Sequence, residues 1–213
     1  MAALSRKERD RRLRQEDILR AAEHIFAIKG YHEASIQDIA KEAQYAVGTV
    51  YLYFKDKETL YTTLVGEKAE ELIHTVKDKV ARASGARERI KVLVEEHLSY
   101  FEKNEDFFRI YFAERSNLSW AVKGRISPKA MEKFLDYLDY VASLLKTGQG
   151  EGVVRDDFSA REMSSILVSM LNAVIIPWLR RESIKAKSSG NDKDLKDMAV
   201  FILDMFFNGA KTK

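Results

Sequence analysis

The chain has 213 residues, 46% of them hydrophobic and none cysteine, and a formal net charge of +3. That length and apolar content suffice for one large or two modest cored domains. The missing cysteine excludes a disulfide framework, a thiolate nucleophile and a cysteine-ligated zinc. The charged N-terminus has no apolar stretch of signal-peptide type. The most apolar run, residues 163–179, is short for a membrane span and contains Asn172 and Pro177. The expectation is a soluble, cytoplasmic protein with no membrane partner.

Charge is concentrated at the start. Arg6, Lys7, Arg9, Arg11, Arg12 and Arg14 stand against only Glu8 and Asp10 in the first fifteen residues. A basic arm of this kind can follow phosphates or reach into a minor groove; the plain alternative is a frayed, solvated terminus. Arg11, Arg12 and Arg14 are its candidate nucleic-acid contacts. Helix one is predicted over residues 15–29, where Ile18, Ala22, Ile25 and Phe26 recur at helical spacing. Gly30 ends it, as a residue that enters the left-handed region without steric cost.

Ser35 caps the next helix, and Asp38 three residues on completes a capping box. Ile36, Ile39, Ala40 and Ala43 form its inner face. A turn at 44–46 follows, then a short third helix over about 47–53. Two short helices joined by a tight turn and braced by a longer one have helix-turn-helix geometry. Such a unit places its second short helix in the DNA major groove. Gly48 inside that helix costs about 1 kcal/mol against Ala, which close packing or close approach to a phosphate would justify.

Helix four begins at Lys57 and extends to about residue 81, with Leu60, Leu64, Ala69 and Leu72 inward. A lysine at a helix start opposes the dipole, a cost that an external phosphate or solvation would offset. Ser84-Gly85 marks a boundary. Helix five, over 86–102, turns Ile90, Leu93, Val94, His97, Leu98 and Phe101 inward, and an aromatic-rich helical stretch follows over 104–117. Ser127-Pro128 opens another helix, carrying Met131, Phe134, Leu135, Leu138, Val141, Leu144 and Leu145. Gly148, Gly150 and Gly152 lie in a helix–helix turn; no strand precedes them, so they form no dinucleotide fingerprint. Ser159 and Glu162 give a second capping box for a helix reaching about residue 180. The last helix covers about 192–208 after a basic loop. No alternating pattern appears, so the fold class is all-α.

The last two helices are apolar on more than one face, which places them either in the centre of the core or against another subunit. A twofold dimer pairing them as a four-helix bundle is expected. Ile166, Val174, Leu195, Met198, Ile202, Met205 and Phe206 are its candidate interface residues. A dimer carries two reading heads and suits a palindromic site with half-site centres about 34–36 Å apart, or a multiple of that.

The segment over about 15–65 resembles the TetR family of bacterial transcription regulators. The likeness is carried by Gly30, Ser35-Ile36, Ile39-Ala40, Ala43, Gly48-Thr49-Val50-Tyr51, Tyr53-Phe54, Lys57 and Leu60. The rest of the chain matches in being all-helical, of suitable length and closed by two apolar helices. The resemblance implies a homodimeric repressor with a DNA-binding domain, set here at 1–57, and an effector-binding and dimerisation domain at 58–213. By likeness, Gln44, Tyr45, Ala46, Val47, Thr49 and Tyr51 would face or border DNA, Gly48 would permit close approach, and Tyr53 and Lys57 would contact or position the phosphate backbone. The partners would be a palindromic double-stranded operator and a small hydrophobic or amphipathic effector that releases it. Two features depart from the family pattern. Gln44-Tyr45 stands where a Gly-Val pair is usual, which points to an altered turn surface or a Gln44 base contact. Ala46 stands where a Ser or Thr cap is usual, which weakens the cap by about 1 kcal/mol.

Phe107, Phe108, Tyr111, Phe112, Trp120, Met131, Phe134, Tyr137, Met163, Met170, Asn172 and Trp178 are candidate linings for an elongated apolar or acyl-chain effector. Their alternative is ordinary core. Asn172 must find a partner if buried, and Pro177 can bend its helix. Arg109, Arg115, Lys123 and Arg125 could receive an anionic head group or form a solvated face. No cofactor and no metal are expected: His24, His32, His74 and His97 are scattered, with no metal-ligand spacing and no nucleophile elbow. His24 and His97 read as packing residues. An enzyme is therefore disfavoured, as is a helical protein–protein adaptor without DNA binding, given the intact segment from Gly48 to Lys57.

Overall fold

The computed structural model describes residues 5–105, 107–108, 128–181 and 194–209. The expected all-α class holds: the elements are α1 (Arg6–Glu33), α2 (Ile36–Glu42), α3 (Val47–Tyr53), α4 (Lys57–Ala81), α5 (Ala86–Lys103), α6 (Pro128–Gly150), α7 (Ala160–Arg181) and α8 (Leu195–Gly209). The described residues divide into two compact units, the first ending at Lys68 and the second beginning at Ala69. Helix α4 contributes to both.

Helix α1 starts nine residues earlier than the sequence periodicity places it, so the basic segment is helix and not a frayed arm. The reason is local. The Ser5 hydroxyl accepts from the Glu8 amide, and the Glu8 carboxylate accepts from the Ser5 amide at 2.8 Å, giving a complete capping box. Arg12 pairs with Glu16 one turn on, at 2.9 Å. Neither Gly nor Pro interrupts the segment. Ile18, Leu19, Ala22, Ile25 and Phe26 form the buried stripe. Gly30 does break the helix, with φ 75° and ψ 166°, and one further turn follows to Glu33. Helix α2 packs between α1 and α3. Its capping box is formed as expected, with Asp38 Oδ2 accepting from the Ser35 amide and hydroxyl. Lys29 also donates to Asp38, and these bonds hold that carboxyl down at about 2.

In the second unit α5 is central and packs on α6, α7 and α8, while α7 packs on α6 and α8. The inward set predicted for α5 is buried throughout. Gly85 offers α5 no side-chain cap. A distant one replaces it: Glu151 Oε2 accepts from the Ala86 amide at 2.8 Å. Gly148 and Gly150 lie inside the end of α6, not in a turn; the turn comes at Gly152, with φ 70°. The Ser159–Glu162 box opens α7 as expected.

The apolar run of α7 is longer than the sequence reading placed it. Ala160–Leu179 is long and apolar enough to cross a membrane by length and composition. Its buried residues Met163, Leu167, Val168, Leu171, Ile175 and Leu179 recur at three and four, so one stripe packs inside the unit.

Candidate nucleic-acid interface and effector site

The turn between α2 and α3 is a complete Schellman motif. The Tyr45 amide donates to the Ala40 carbonyl at 2.9 Å and the Gln44 amide to the Lys41 carbonyl at 3.2 Å. Gln44 sits at the left-handed position with φ 58°, the one non-glycine with positive φ among the described residues. The backbone therefore keeps the geometry that glycine would favour, and only the surface differs. Tyr45 is half-buried, and its hydroxyl donates to Asp17 Oδ2 at 3.0 Å, tying the turn back to α1. Burial and that carboxylate raise the Tyr45 pKa. Ala46 provides no side-chain cap, in keeping with its methyl group.

Val50 is fully buried and anchors α3, followed by Phe54. The opposite face presents Gly48, Tyr51 and Leu52, all exposed, with Val47, Thr49 and Tyr53 half-buried beside it. A Cβ on Gly48 would meet nothing within 4 Å. Close packing thus does not explain this glycine. Leu52, 79% exposed, was missed by sequence reasoning, although its i+4 spacing from Gly48 puts it on the same face. Arg11, Arg12 and Arg14 are exposed along the first turns of α1.

Lys57 is held inside its own unit. Its ammonium donates to the carbonyls of Tyr31 (2.7 Å), His32 (3.1 Å) and Ala34 (2.8 Å) and lies 4.6 Å from the Tyr31 ring centroid. Three donors meet three acceptors at the C-terminal end of α1, where a cation is favoured. The N-terminus of α4 is capped separately, by Asp56 Oδ1 accepting from the Thr59 amide at 2.7 Å. Hydrogen bonding from the Thr59 side chain, and then from its amide, holds the Asp56 carboxyl below its usual range. The predicted dipole cost is thereby met within the protein.

The residues proposed to line an effector pocket separate into groups. Phe107, Phe108, Tyr137 and Met163 are buried; Met170, Asn172 and Trp178 are half-buried; Met131 and Phe134 are exposed. Tyr111, Phe112 and Trp120 lie outside the described residues, as do Arg109, Arg115, Lys123 and Arg125. A depression of about 300 Å³ lined by Asp17, Arg20 and Glu42 lies in the first unit, and none of these groups lines it. Among the interface candidates, Leu195, Ile202 and Phe206 are buried in the chain's own core. Ile166 and Met205 are exposed, Val174 and Met198 half-buried. The exposed apolar face of α8 also includes Val200 and Phe201, which sequence reasoning left out of the interface set.

One buried polar pair joins α5 to α6. His97 Nδ1 lies 2.8 Å from the Tyr137 hydroxyl, and the two residues are 3% and 4% exposed. The ring of His97 stacks on Phe101 (centroids 5.2 Å apart), and Phe101 stacks on Phe108 at 4.0 Å. Burial drives the His97 pKa down to about 3 and raises that of Tyr137, so both are neutral. Nε2 of His97 is buried with no hydrogen-bond partner among the described residues. Nor do three His, Asp or Glu side chains converge as a metal site among those residues.

Residues 18–64 match the family described as bacterial regulatory proteins, tetR family, and residues 65–188 match that of the YsiA-like protein, C-terminal region. The fatty acid metabolism regulator protein of Bacillus subtilis (strain 168) is 23% identical over 207 residues, covering 96% of this chain and 100% of that one. The fatty acid degradation regulator FadR from Bacillus halodurans superposes with a TM-score of 0.75 at 24% identity, over 92% of this chain and 99% of that one. FadR from Bacillus subtilis in complex with stearoyl-CoA superposes with a TM-score of 0.74 at 23% identity, over 91% and 98%. At these identities the superpositions show a shared fold.

Proposed function

The chain belongs to the TetR family of bacterial regulatory proteins, and from that premise we propose that this DNA-binding transcriptional regulator is a cytoplasmic homodimeric repressor, released from a palindromic operator by a long-chain acyl-coenzyme A. The observation that carries the reading is the exposed face of α3, with Gly48, Tyr51 and Leu52 outward and Val50 locked inward. A short helix so anchored can enter a major groove, Gly48 letting its backbone approach closely. Phosphate contacts position the head and base-edge contacts select the site. Arg11, Arg12 and Arg14, carried on helix, supply cations for the backbone. Thr49 and Tyr51 border the bases; Gln44, from its exposed turn position, reaches toward them.

The dimer is supported by the exposed apolar faces of α7 and α8, with Ile166, Val200, Phe201 and Met205 facing outward. The effector class is supported by the relatives named as fatty acid regulators and by the stearoyl-CoA complex of one of them. Effector binding in the second unit favours a spacing of the two heads that no longer fits the operator. Helix α4, which contributes to both units, is the element through which that change passes. Coupling is reciprocal, so DNA weakens effector binding by the same factor. No step in this scheme makes or breaks a covalent bond.

The test uses the full chain and a duplex recovered from a random pool by repeated selection. Two chains per duplex, binding that weakens steeply with salt, and release by stearoyl-CoA are expected. Unchanged affinity on substituting Thr49 or Tyr51 by Ala would sink the assignment of α3 as the reading helix.

A further inference from the structure

We propose that the Nε2–H of His97, oriented by Tyr137, donates a hydrogen bond to the thioester carbonyl oxygen of the acyl-coenzyme A effector. This assignment rests on the acyl-coenzyme A reading above and names the polar anchor of that site.

One hydrogen bond joins His97 Nδ1 to the Tyr137 hydroxyl, and it can run either way. If Nδ1 carries the proton and donates, the tyrosine proton and the Nε2 lone pair both lack partners. If the hydroxyl donates to Nδ1, the imidazole proton sits on Nε2 and only that N–H lacks a partner. Buried polar groups left unmatched are costly, so the second arrangement is favoured. Tyr137 thereby fixes the tautomer of His97, and a single N–H donor remains, fully buried and unanswered among the described residues.

The chemistry of that donor selects its acceptor. Burial keeps the imidazole neutral, so it offers a hydrogen bond and no charge. A carboxylate brought to it would lose its hydration without gaining a counter-ion. A carbonyl oxygen has no such penalty. The surroundings suit what a thioester carbonyl is attached to, because Phe101 and Phe108 continue the stack from the His97 ring and make the setting of the donor apolar. A residue serving only to fill this space would do so better as Phe or Leu, without an orphaned donor. The half-buried Asn172, the polar residue singled out in the sequence, leaves no comparable buried atom unmatched.

Two ligands of equal chain length separate the possibilities: palmitoyl-coenzyme A, and S-hexadecyl-coenzyme A, the thioether that lacks the carbonyl. Titration calorimetry on the full chain should show the thioester binding about tenfold more tightly, the size of one net hydrogen bond. His97→Phe should bring the thioester down to the thioether's affinity and leave the thioether unchanged. His97→Gln, which can present an amide N–H in the same region, should restore part of the preference. Should His97→Phe unfold the chain, the wild-type protein labelled with 15N-histidine gives the answer directly. His97 should report the Nε2–H tautomer, and its Nε2 proton should shift downfield with palmitoyl-coenzyme A but not with the thioether. Equal affinities in the wild type, or an Nε2 signal indifferent to the carbonyl, would overturn the assignment while leaving the acyl-coenzyme A reading intact. Failure of both ligands to bind would remove that reading, and this assignment with it.

Discussion

The Lys57 ammonium donates to the Tyr31 carbonyl oxygen at 2.7 Å, joining the first residue of α4 to the last turn of α1. With the bonds to His32 and Ala34, it closes the end of α1 that Gly30 has opened. Lys57→Met removes all three donors and should destabilise the full chain by about 1.5–3 kcal/mol, the range for hydrogen bonds to charged groups, measured by urea unfolding. Lys57→Arg should recover only part, because a planar guanidinium cannot aim its donors at three converging carbonyls. DNA affinity should fall as the head loosens, while the salt dependence stays constant. A slope reduced by about 0.9 would instead show a phosphate contact.

Gln44 holds a left-handed backbone with φ 58°, which costs an L-residue about 1–2 kcal/mol. Gln44→Gly removes that strain but gives up about 0.5–1 kcal/mol in backbone entropy. The net expectation is a gain of about 0.5–1 kcal/mol, visible as a higher melting temperature. If the Gln44 side chain reads a base, the more stable variant should also discriminate less among operator variants.

Much of the first unit was legible because its signals are local. The Ser35–Asp38 box, the break at Gly30 and the bounds of α3 each depend on residues within one turn of one another. The Ser5–Glu8 box was equally local, but the density of charge over Arg6 to Arg14 drew the reading toward a loose arm. In α8 periodicity failed for a different reason. Both faces are apolar, so spacing alone could not tell that Leu195, Ile202 and Phe206 face their own core while Val200, Phe201 and Met205 do not. The His97–Tyr137 pair was beyond reach, since its partners stand 40 residues apart and meet only when α5 packs on α6. The orphaned Nε2 is a property of that packing and has no sequence pattern.

Gly148 lies inside α6 where a Cβ would come within 2.8 Å of Val154 Cγ2 and 3.5 Å of Ala86 Cβ. Val154 and Ala86 are buried, so neither can swing into solvent. Gly148→Ala gains helix propensity of about 1 kcal/mol but must displace Val154, in the segment between α6 and α7, with Ala86 remaining at ordinary contact distance. Overpacking of this kind costs about 1–3 kcal/mol. The expected result is a net loss of stability at Gly148, whereas Gly150→Ala, with nothing within 4 Å of its Cβ, should be neutral or stabilising. Thermal melts of the two variants side by side give the comparison.

Glu102, near the end of α5, shares a hydrogen bond with Asp194, just before α8. That bond, followed by desolvation and the charge of Asp194, pushes the Glu102 carboxyl up to about 7 from an ordinary 4.5. The same bond lowers Asp194, so Glu102 carries the shared proton. The folded chain holds this proton more tightly than the unfolded chain does. Its stabilising contribution is therefore complete below 4.5 and disappears as the pH rises through 7. Above that pH two carboxylates face each other where α8 joins α5, with Lys103 and Lys196 only partly compensating. Stability measured by denaturant unfolding should thus fall between pH 5 and pH 8 at the lower and upper sides of this window. Glu102→Gln keeps a donor toward Asp194 and cannot ionise, so it should remove this part of the pH dependence and leave the variant the more stable protein at pH 8. A wild type and variant with parallel stability profiles across that range would show that the two carboxyls do not share a proton.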